Sequence, residues 1–213
     1  MNYCIMGKVR EDFFTKPTLA LAELLLGKVF VHNAIDGRCY KGKIVETEAY
    51  LAEGDAACHA FRGRTKRNRV MYGSPGTLYV YFTYGCHFLM NIVTEPEGAA
   101  GAVLIRAMEP LAGLTHMKSN RNVVKTVDLM NGPGKLTRAM DITLAHNGMC
   151  LSGDTVFIEE GESFSQNMIC SSKRIGITKG TDLSWRRYVA ENPFVSKSKP
   201  GPPPGKRKMV LES

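Results

Sequence analysis

The sequence has 213 residues, of which 44% are hydrophobic, and this suits one compact domain with a single substantial core. Its net charge of +8 favours a partner with many phosphates or an anionic membrane surface, although many other basic proteins share such a balance. No apolar run approaches the roughly 18 residues of a membrane span, and the first residues lack a signal-peptide pattern.

Six cysteines are scattered along the chain without a C-x-x-C pair. Disulfide frameworks belong mainly to small secreted proteins, so we expect reduced thiols and an intracellular protein, nuclear in a eukaryote and cytoplasmic in a bacterium. Cys58-His59 and Cys86-His87 lack the closely spaced ligand pairs of a structural zinc site. We therefore expect no metal and no other cofactor.

The first predicted elements are a short helix and a hairpin. Pro17 at the entrance and Gly27 at the exit delimit a helix over residues 19–26. A strand over residues 28–32, a turn at Asp36-Gly37 and a return strand over residues 38–50 follow.

The return strand places two carboxylates and an aromatic ring on one face. A period of two residues puts Glu46, Glu48 and Tyr50 on the same side, while the residues between them point the other way. A solvent-exposed face and a functional site are both compatible with this pattern, and the strand alone does not decide between them.

A basic loop and a tyrosine-rich strand come next. Five cations lie within residues 62–69, as in a solvated loop or in a loop that reaches phosphates. The β-prone run over residues 77–85 places Tyr79 and Tyr81 on one side and Tyr84 at the turn, and all three could also be half-buried core residues. Residues 103–107 predict a buried strand that includes Arg106.

The second half predicts a helix running into a polar loop over residues 113–127, and a helix from about residue 135 to residues 146–148. The loop at residues 131–135 is not a Walker phosphate loop, because Leu136 occupies the Ser/Thr position. The irregular order of strands and helices, without successive βαβ units, predicts an α+β fold. The Pro/Gly-rich basic end predicts a flexible tail at residues 199–213, after a single domain at residues 1–198.

Several segments, in this order and with closely similar spacings, resemble the alkyladenine (3-methyladenine, N-methylpurine) DNA glycosylase family over about residues 10–196. They are Ile44-Val-Glu-Thr-Glu-Ala-Tyr50, Ala57-Cys-His59, Gly76-Thr-Leu-Tyr-Val-Tyr81, Tyr84-Gly85, Met90-Asn91, Leu104-Ile-Arg-Ala-Met-Glu-Pro110 and Asn131-Gly-Pro-Gly-Lys-Leu136. With the resemblance we expect one mixed domain with a curved, mainly antiparallel sheet and surrounding helices.

The resemblance implies a role for each residue that matches the family's motifs. Glu48 corresponds to the general base that activates the attacking water, and Arg106 helps to hold that water. The flipped base lies between Tyr50 and His59 on one side and Tyr81 on the other. Glu46 has no part in the family's chemistry and is expected to be structural.

Three further roles concern the DNA. Tyr84 corresponds to the side chain that fills the gap left in the duplex, and Asn91 to the one that crowds the exocyclic amino group of guanine. The basic loop is expected to contact the DNA backbone through Arg64, Lys66, Arg67 and Arg69.

The implied function is that of a monofunctional DNA glycosylase of base excision repair, of the 3-methyladenine glycosylase II type, acting as a monomer on duplex DNA. It would flip 3-methyladenine, 7-methylguanine, hypoxanthine or ethenoadenine out of the helix and hydrolyse the N-glycosidic bond. Aromatic faces attract cationic alkylated purines. The positive charge of Arg106 would help to keep the Glu48 carboxylate ionised. A non-catalytic binder of single strands would use the same tyrosines but not Glu48, and a deaminase would need an absent zinc signature.

Overall fold

The computed structural model describes residues 7–83 and 85–196, and these fold into one eight-stranded sheet with three α-helices. The helices are α1 (Thr18–Leu24), α2 (Leu114–Arg121) and α3 (Pro133–Ala139). The strands are β1 (Val29–Asn33), β2 (Cys39–Leu51), β3 (Leu78–Thr83), β4 (His87–Thr94), β5 (Gly101–Ala112), β6 (Val156–Glu159), β7 (Ile169–Ser172) and β8 (Arg186–Val189).

Strand β2 organises the sheet. Of its 13 residues, those from 41 to 51 pair with β5 along one edge, while the other edge is divided between β1 at residues 39–43 and β8 at residues 46–48. The pairings are antiparallel in the order β3-β4-β5-β2-β1-β6, and β7 joins through β8. Register shifts near Glu46 bend β2, because a bulge locally increases the twist of a strand. The expectation of an α+β domain with a curved, mainly antiparallel sheet is confirmed.

Two predicted helix ends were wrong. Helix α1 ends at Leu24, and the chain then turns through Gly27, whose φ of +89° is a left-handed conformation that favours glycine. Helix α3 ends at Ala139 instead of near residue 147, because Asp141 adopts a φ of +58° and breaks the helical path. The last part of the predicted helix is instead a short 3-10 turn at Leu144–His146.

The core has a large part and a smaller part. The large cluster packs α1, α2 and α3 against the sheet, with members such as Leu21, Met117 and Leu136. The smaller cluster contains Tyr79 and has Tyr50 and Tyr81 packed against it, so the tyrosines do contribute to burial. Among the described residues no helix is long and apolar enough to cross a bilayer.

Replacing Gly27 with alanine tests the tight turn after α1. An added Cβ would clash with the carbonyl oxygen of Glu162, and the φ of +89° would add backbone strain. Gly37 is the control, because its φ of +83° is similar but nothing lies within 4 Å of its Cβ position. We expect Gly37→Ala to lower the free energy of unfolding by about 1–2 kcal/mol. Gly27→Ala should cost about 2 kcal/mol more, and equal urea-denaturation midpoints would contradict the clash.

Candidate active site

A cavity of about 340 Å³ lies over the strands β2 to β5, within the range of small-molecule pockets. Its wall combines side chains from the sheet with the loop at residues 175–177. The sequence-predicted residues that line it are Tyr50, His59, Tyr81, Asn91 and Arg106. Chain segments far apart in the sequence are thus brought to one place by strand pairing.

The aromatic wall is a contiguous set of rings. The ring centroids of His59 and Tyr81 lie 4.5 Å apart at an interplanar angle of 73°, and those of Tyr79 and Tyr81 lie 5.4 Å apart. A base between two rings needs about 7 Å, two van der Waals spacings, so His59 and Tyr81 would have to part to admit one between them. Partial burial and the Arg67 cation lower the pKa of His59, which favours a neutral imidazole.

The Nδ1 atom of His59 is held by the hydroxyl of Tyr79, 3.0 Å away. Burial raises the pKa of this tyrosine to about 12, so its hydroxyl keeps its proton at neutral pH. The sequence did not assign Tyr79 to the site, although its position two residues from Tyr81 on the same strand face was the available signal.

Glu48 is fully buried, which excludes the solvent-exposed face that the sequence left open. Its Oε2 accepts a hydrogen bond from the Tyr50 hydroxyl at 2.8 Å, and its Oε1 accepts one from the Ile175 amide at 2.8 Å. Burial raises the pKa of Glu48, while Arg106 and these two donors oppose the shift. The carboxylate is therefore rigidly held beside the cavity and is more basic than an exposed glutamate.

Arg106 lies between two carboxylates. Its Nη1 is 3.4 Å from Oε1 of Glu48 and 3.5 Å from the carbonyl oxygen of Ile175, while its Nε donates to Glu46 at 3.0 Å. The expected proximity of Arg106 to Glu48 is present, but the shorter contact is to Glu46. A fixed guanidinium of this kind can hold a polar group at the cavity wall.

Arg174 is a site residue that sequence reasoning missed. Its guanidinium is buried behind the Tyr50 ring, 4.4 Å from the ring centroid, and 5.3 Å from that of Trp185. Asp55 pairs with it through two contacts of 2.6 Å, and both side chains are fully buried. An arginine after two serines and a lysine gives no local signal for this position, because 119 residues separate it from Asp55.

Asn91 lies on β4 opposite Tyr79 and is only 5% exposed. Its Nδ2 donates to the Tyr79 carbonyl oxygen at 3.1 Å, so the amide is anchored across the strand pair while lining the cavity. Asn91 therefore both bonds the backbone and lines the cavity, so the two roles do not exclude each other.

The basic loop lies beside the cavity. Arg64, Lys66, Arg67 and Arg69 are exposed, and Arg67 lies 5.4 Å from the Tyr81 ring centroid. Buried Asn68 fixes the loop, because its Nδ2 donates to the carbonyl oxygens of His59 and Gly63 at 2.9 Å each. The cations are thus presented outward from an anchored loop. Tyr84 and the tail at residues 199–213 lie outside the described residues.

Within residues 7–83 and 85–196, no three histidine, cysteine, aspartate or glutamate side chains are grouped to hold a metal ion. The thiols of Cys39, Cys58, Cys86, Cys150 and Cys170 are all free. Burial raises the pKa of Cys58 to about 11, so this thiol stays protonated beside the cavity.

Comparison with known proteins gives matches over nearly the whole chain. Residues 12–193 match the methylpurine-DNA glycosylase family. Three similar relatives, each named "Putative 3-methyladenine DNA glycosylase", come from Chlorobium phaeobacteroides strain BS1, Prosthecochloris aestuarii and Salinibacter ruber. They are 76%, 60% and 46% identical, over 92%, 98% and 92% of this chain and 98%, 100% and 99% of their own.

Removing the cation behind Tyr50 tests the support of the aromatic wall. Arg174→Met leaves the Asp55 carboxylate buried without its partner, so we expect a loss of about 3–5 kcal/mol in the free energy of unfolding. The double variant Asp55→Asn, Arg174→Met should recover most of that loss, because no buried charge remains unpaired. Urea denaturation of wild type, both single variants and the double variant measures the coupling. If the stability losses of the two single variants simply added in the double variant, the Asp55–Arg174 ion pair would not be the source of the loss.

Proposed function

Because the chain belongs to the methylpurine-DNA glycosylase family, we propose that it is a monofunctional DNA glycosylase that hydrolyses the bond between a damaged purine and its deoxyribose. The observation that carries this proposal is Glu48, a fully buried carboxylate fixed beside an aromatic-lined cavity. A binder of single strands uses stacking rings but has no use for a carboxylate in that position, since the group repels phosphate.

The cavity supports binding of a base that has left the DNA stack. Tyr50 and Tyr81 offer ring faces on which a purine can stack, and His59 adds a third ring once it moves away from Tyr81. Alkylation at N3 or N7 makes a purine cationic, and aromatic rings attract such a cation by about 0.5–2 kcal/mol when water is excluded. Stacking and this attraction together offset the few kcal/mol needed to unstack the base.

Glu48 acts as the general base toward a water molecule. Oε2 accepts only the Tyr50 hydroxyl among the described donors, so a second lone pair is available to the proton of the attacking water. The water oxygen forms the bond to the sugar C1′, its proton passes to Glu48, and the base leaves with the electron pair of the N-glycosidic bond. Among the described residues lining the cavity there is no lysine, which suits water as the nucleophile and a reaction without strand cleavage.

The proposed substrates are 3-methyladenine, 7-methylguanine, hypoxanthine and ethenoadenine in duplex DNA. The exposed cations of the basic loop favour a DNA backbone beside the cavity, since such contacts release counterions from phosphates. We propose that a monomer suffices, because the described residues supply every side chain used in this mechanism except Tyr84. The role of Tyr84 in filling the gap in the duplex remains a prediction.

Replacing the proposed base tests the reaction. Wild type should release free base from single-lesion duplexes without added metal, scored as abasic sites by alkaline cleavage. Glu48→Gln keeps the shape but cannot accept a proton, so single-turnover excision should fall at least about a hundredfold. Lesion binding should stay within about tenfold, or ~1.4 kcal/mol.

Thr47→Val is the matched control for that variant. Thr47 lies on the same strand, and its hydroxyl bonds the Ala22 carbonyl at 2.6 Å, away from the cavity. It should excise at close to the wild-type rate. Wild-type rates in Glu48→Gln would remove Glu48 from the mechanism.

Asn91 should exclude normal guanine. Because its amide is anchored to the Tyr79 carbonyl, it cannot retreat from a 2-amino group, and the crowding costs a guanine complex about 1–3 kcal/mol. Asn91→Ser should raise release of guanine or its analogues much more than release of ethenoadenine. Excision of both bases and a thermal melt are measured together. Proportional losses of both activities with a lowered melting temperature would assign Asn91 to stability alone.

A further inference from the structure

Glu46 is a fully buried carboxylate to which the mechanism above gives no role. Its Oε1 accepts hydrogen bonds from Nε of Arg186 at 2.6 Å, from Oγ of Ser196 at 2.8 Å and from Nε of Arg106 at 3.0 Å. Its Oε2 accepts the Ser196 amide at 2.7 Å. These donors come from β5, from β8 and from the chain after β8, so three chain segments hold the carboxylate.

The contact with Arg106 has a geometric consequence. A guanidinium is planar and rigid, so fixing its Nε on one acceptor determines where its two Nη atoms can lie. With Nε on Glu46, Nη1 lies 3.4 Å from Glu48 and 3.5 Å from the Ile175 carbonyl oxygen. The orientation of Arg106 at the cavity wall therefore depends on Glu46.

Arg186 supplies the charge balance that this arrangement requires. Two carboxylates and two guanidinium groups are buried together, and Arg186 is only 1% exposed. Without Arg186, Glu46 and Glu48 would compete for Arg106 as a single counter-ion. With it, Glu46 can hold the Nε side of Arg106 while the Nη1 side remains for Glu48.

We propose that Glu46 is a positioning residue, which orients Arg106 toward Glu48 and the attacking water and is itself anchored by Arg186 and Ser196. The inference rests on the proposed glycosylase reaction and deepens it. The alternative is that Glu46 only stabilises the fold. Buried ion pairs are weak evidence of stabilisation, because well-packed apolar residues are often as stable, so the test must separate the two roles.

The pH dependence of the reaction separates them. The groups that face Glu48 are Glu46 and Tyr50 on its own strand, Arg106 on β5, Arg186 at the paired position on β8, and the Ile175 amide and Arg174 on the loop after β7. Burial and the Glu46 charge raise the pKa of Glu48, and Arg106, Ile175 and Tyr50 lower it. Removing the Glu46 charge takes a like charge away from Glu48, so the pKa of Glu48 should fall.

The experiment is a single-turnover pH profile of ethenoadenine excision by Glu46→Gln, with enzyme in excess over lesion-bearing duplex. We expect the plateau rate to fall by about tenfold to a hundredfold, since small misplacements of catalytic groups cost this much. The acid limb should move to lower pH while lesion binding stays within about threefold. Thr47→Val, which loses one buried hydrogen bond on the opposite face of β2, should show neither change.

A double-mutant cycle adds a second readout. If Glu46 acts through Arg106, then Glu46→Gln should change the rate less than threefold in an Arg106→Met background. An undiminished effect there, or an unshifted acid limb with a rate like that of Thr47→Val, would overturn the proposal. Should Glu46→Gln fail to fold, Ser196→Ala decides: a plateau rate at least threefold below wild type supports the proposal, and a wild-type rate overturns it.

Failure of this inference differs from failure of the proposed function. If wild-type protein releases no damaged base, the glycosylase reaction itself is wrong. If wild type is active and Glu48→Gln is not, but Glu46→Gln behaves like Thr47→Val, only the positioning role is lost.

Discussion

Charge burial on β2 is the constraint on which the rest of this structure depends. A carboxylate removed from water costs several kcal/mol unless it is paired and hydrogen-bonded, and β2 buries two of them, two residues apart. Satisfying both requires Arg106 from β5, Arg186 from β8, Ser196 and the Ile175 amide. Because one β2 edge is divided between β1 and β8, β8 brings the Arg186 guanidinium to Glu46, in addition to that of Arg106 from β5.

The same network gives Glu48 its chemical character. A carboxylate in an apolar interior becomes a stronger base, yet one without cationic neighbours would be protonated and inert. Burial pulls the pKa of Glu48 upward and Arg106 pulls it downward, and the net shift is upward. The Tyr50 hydroxyl, the Ile175 amide and the guanidinium fix its position, which is the preorganisation that catalysis requires.

A second buried ion pair supports the aromatic wall. Arg174 and Asp55 lie beneath Tyr50, and the guanidinium stacks between the rings of Tyr50 and Trp185. One face of Tyr50 is therefore fixed by a planar cation, while its hydroxyl is fixed by Glu48. The ring that we propose as a platform for the base is consequently among the most constrained side chains of the site. The imidazole ring of His59 is more loosely tied, through the Tyr79 hydroxyl alone among its described side-chain hydrogen bonds.

Local patterns in the sequence determined much of this protein. Alternation along residues 38–50 predicted β2 and the shared face of Glu46 and Glu48, the tyrosine run predicted β3, and ordered motifs identified the family that the comparisons confirm. Hairpin turns and periodicity are properties of a few adjacent residues, so they can be read without the fold. The end of α3 could not be predicted in this way, because nothing in the local sequence marks Asp141 as the residue with a left-handed backbone conformation.

Only the tertiary structure decided whether the carboxylate face is solvated, which arginine holds which carboxylate, and what lies behind Tyr50. Arg174 and Asp55 are 119 residues apart, and Glu46 and Ser196 are 150 apart. Such contacts arise from strand pairing across the whole sheet, and the energy of a buried charge depends on its surroundings in space. Residue type and spacing along the chain contain no information about those surroundings, so the sequence could name Glu48 and Arg106 as candidates but not the buried groups that hold them in place.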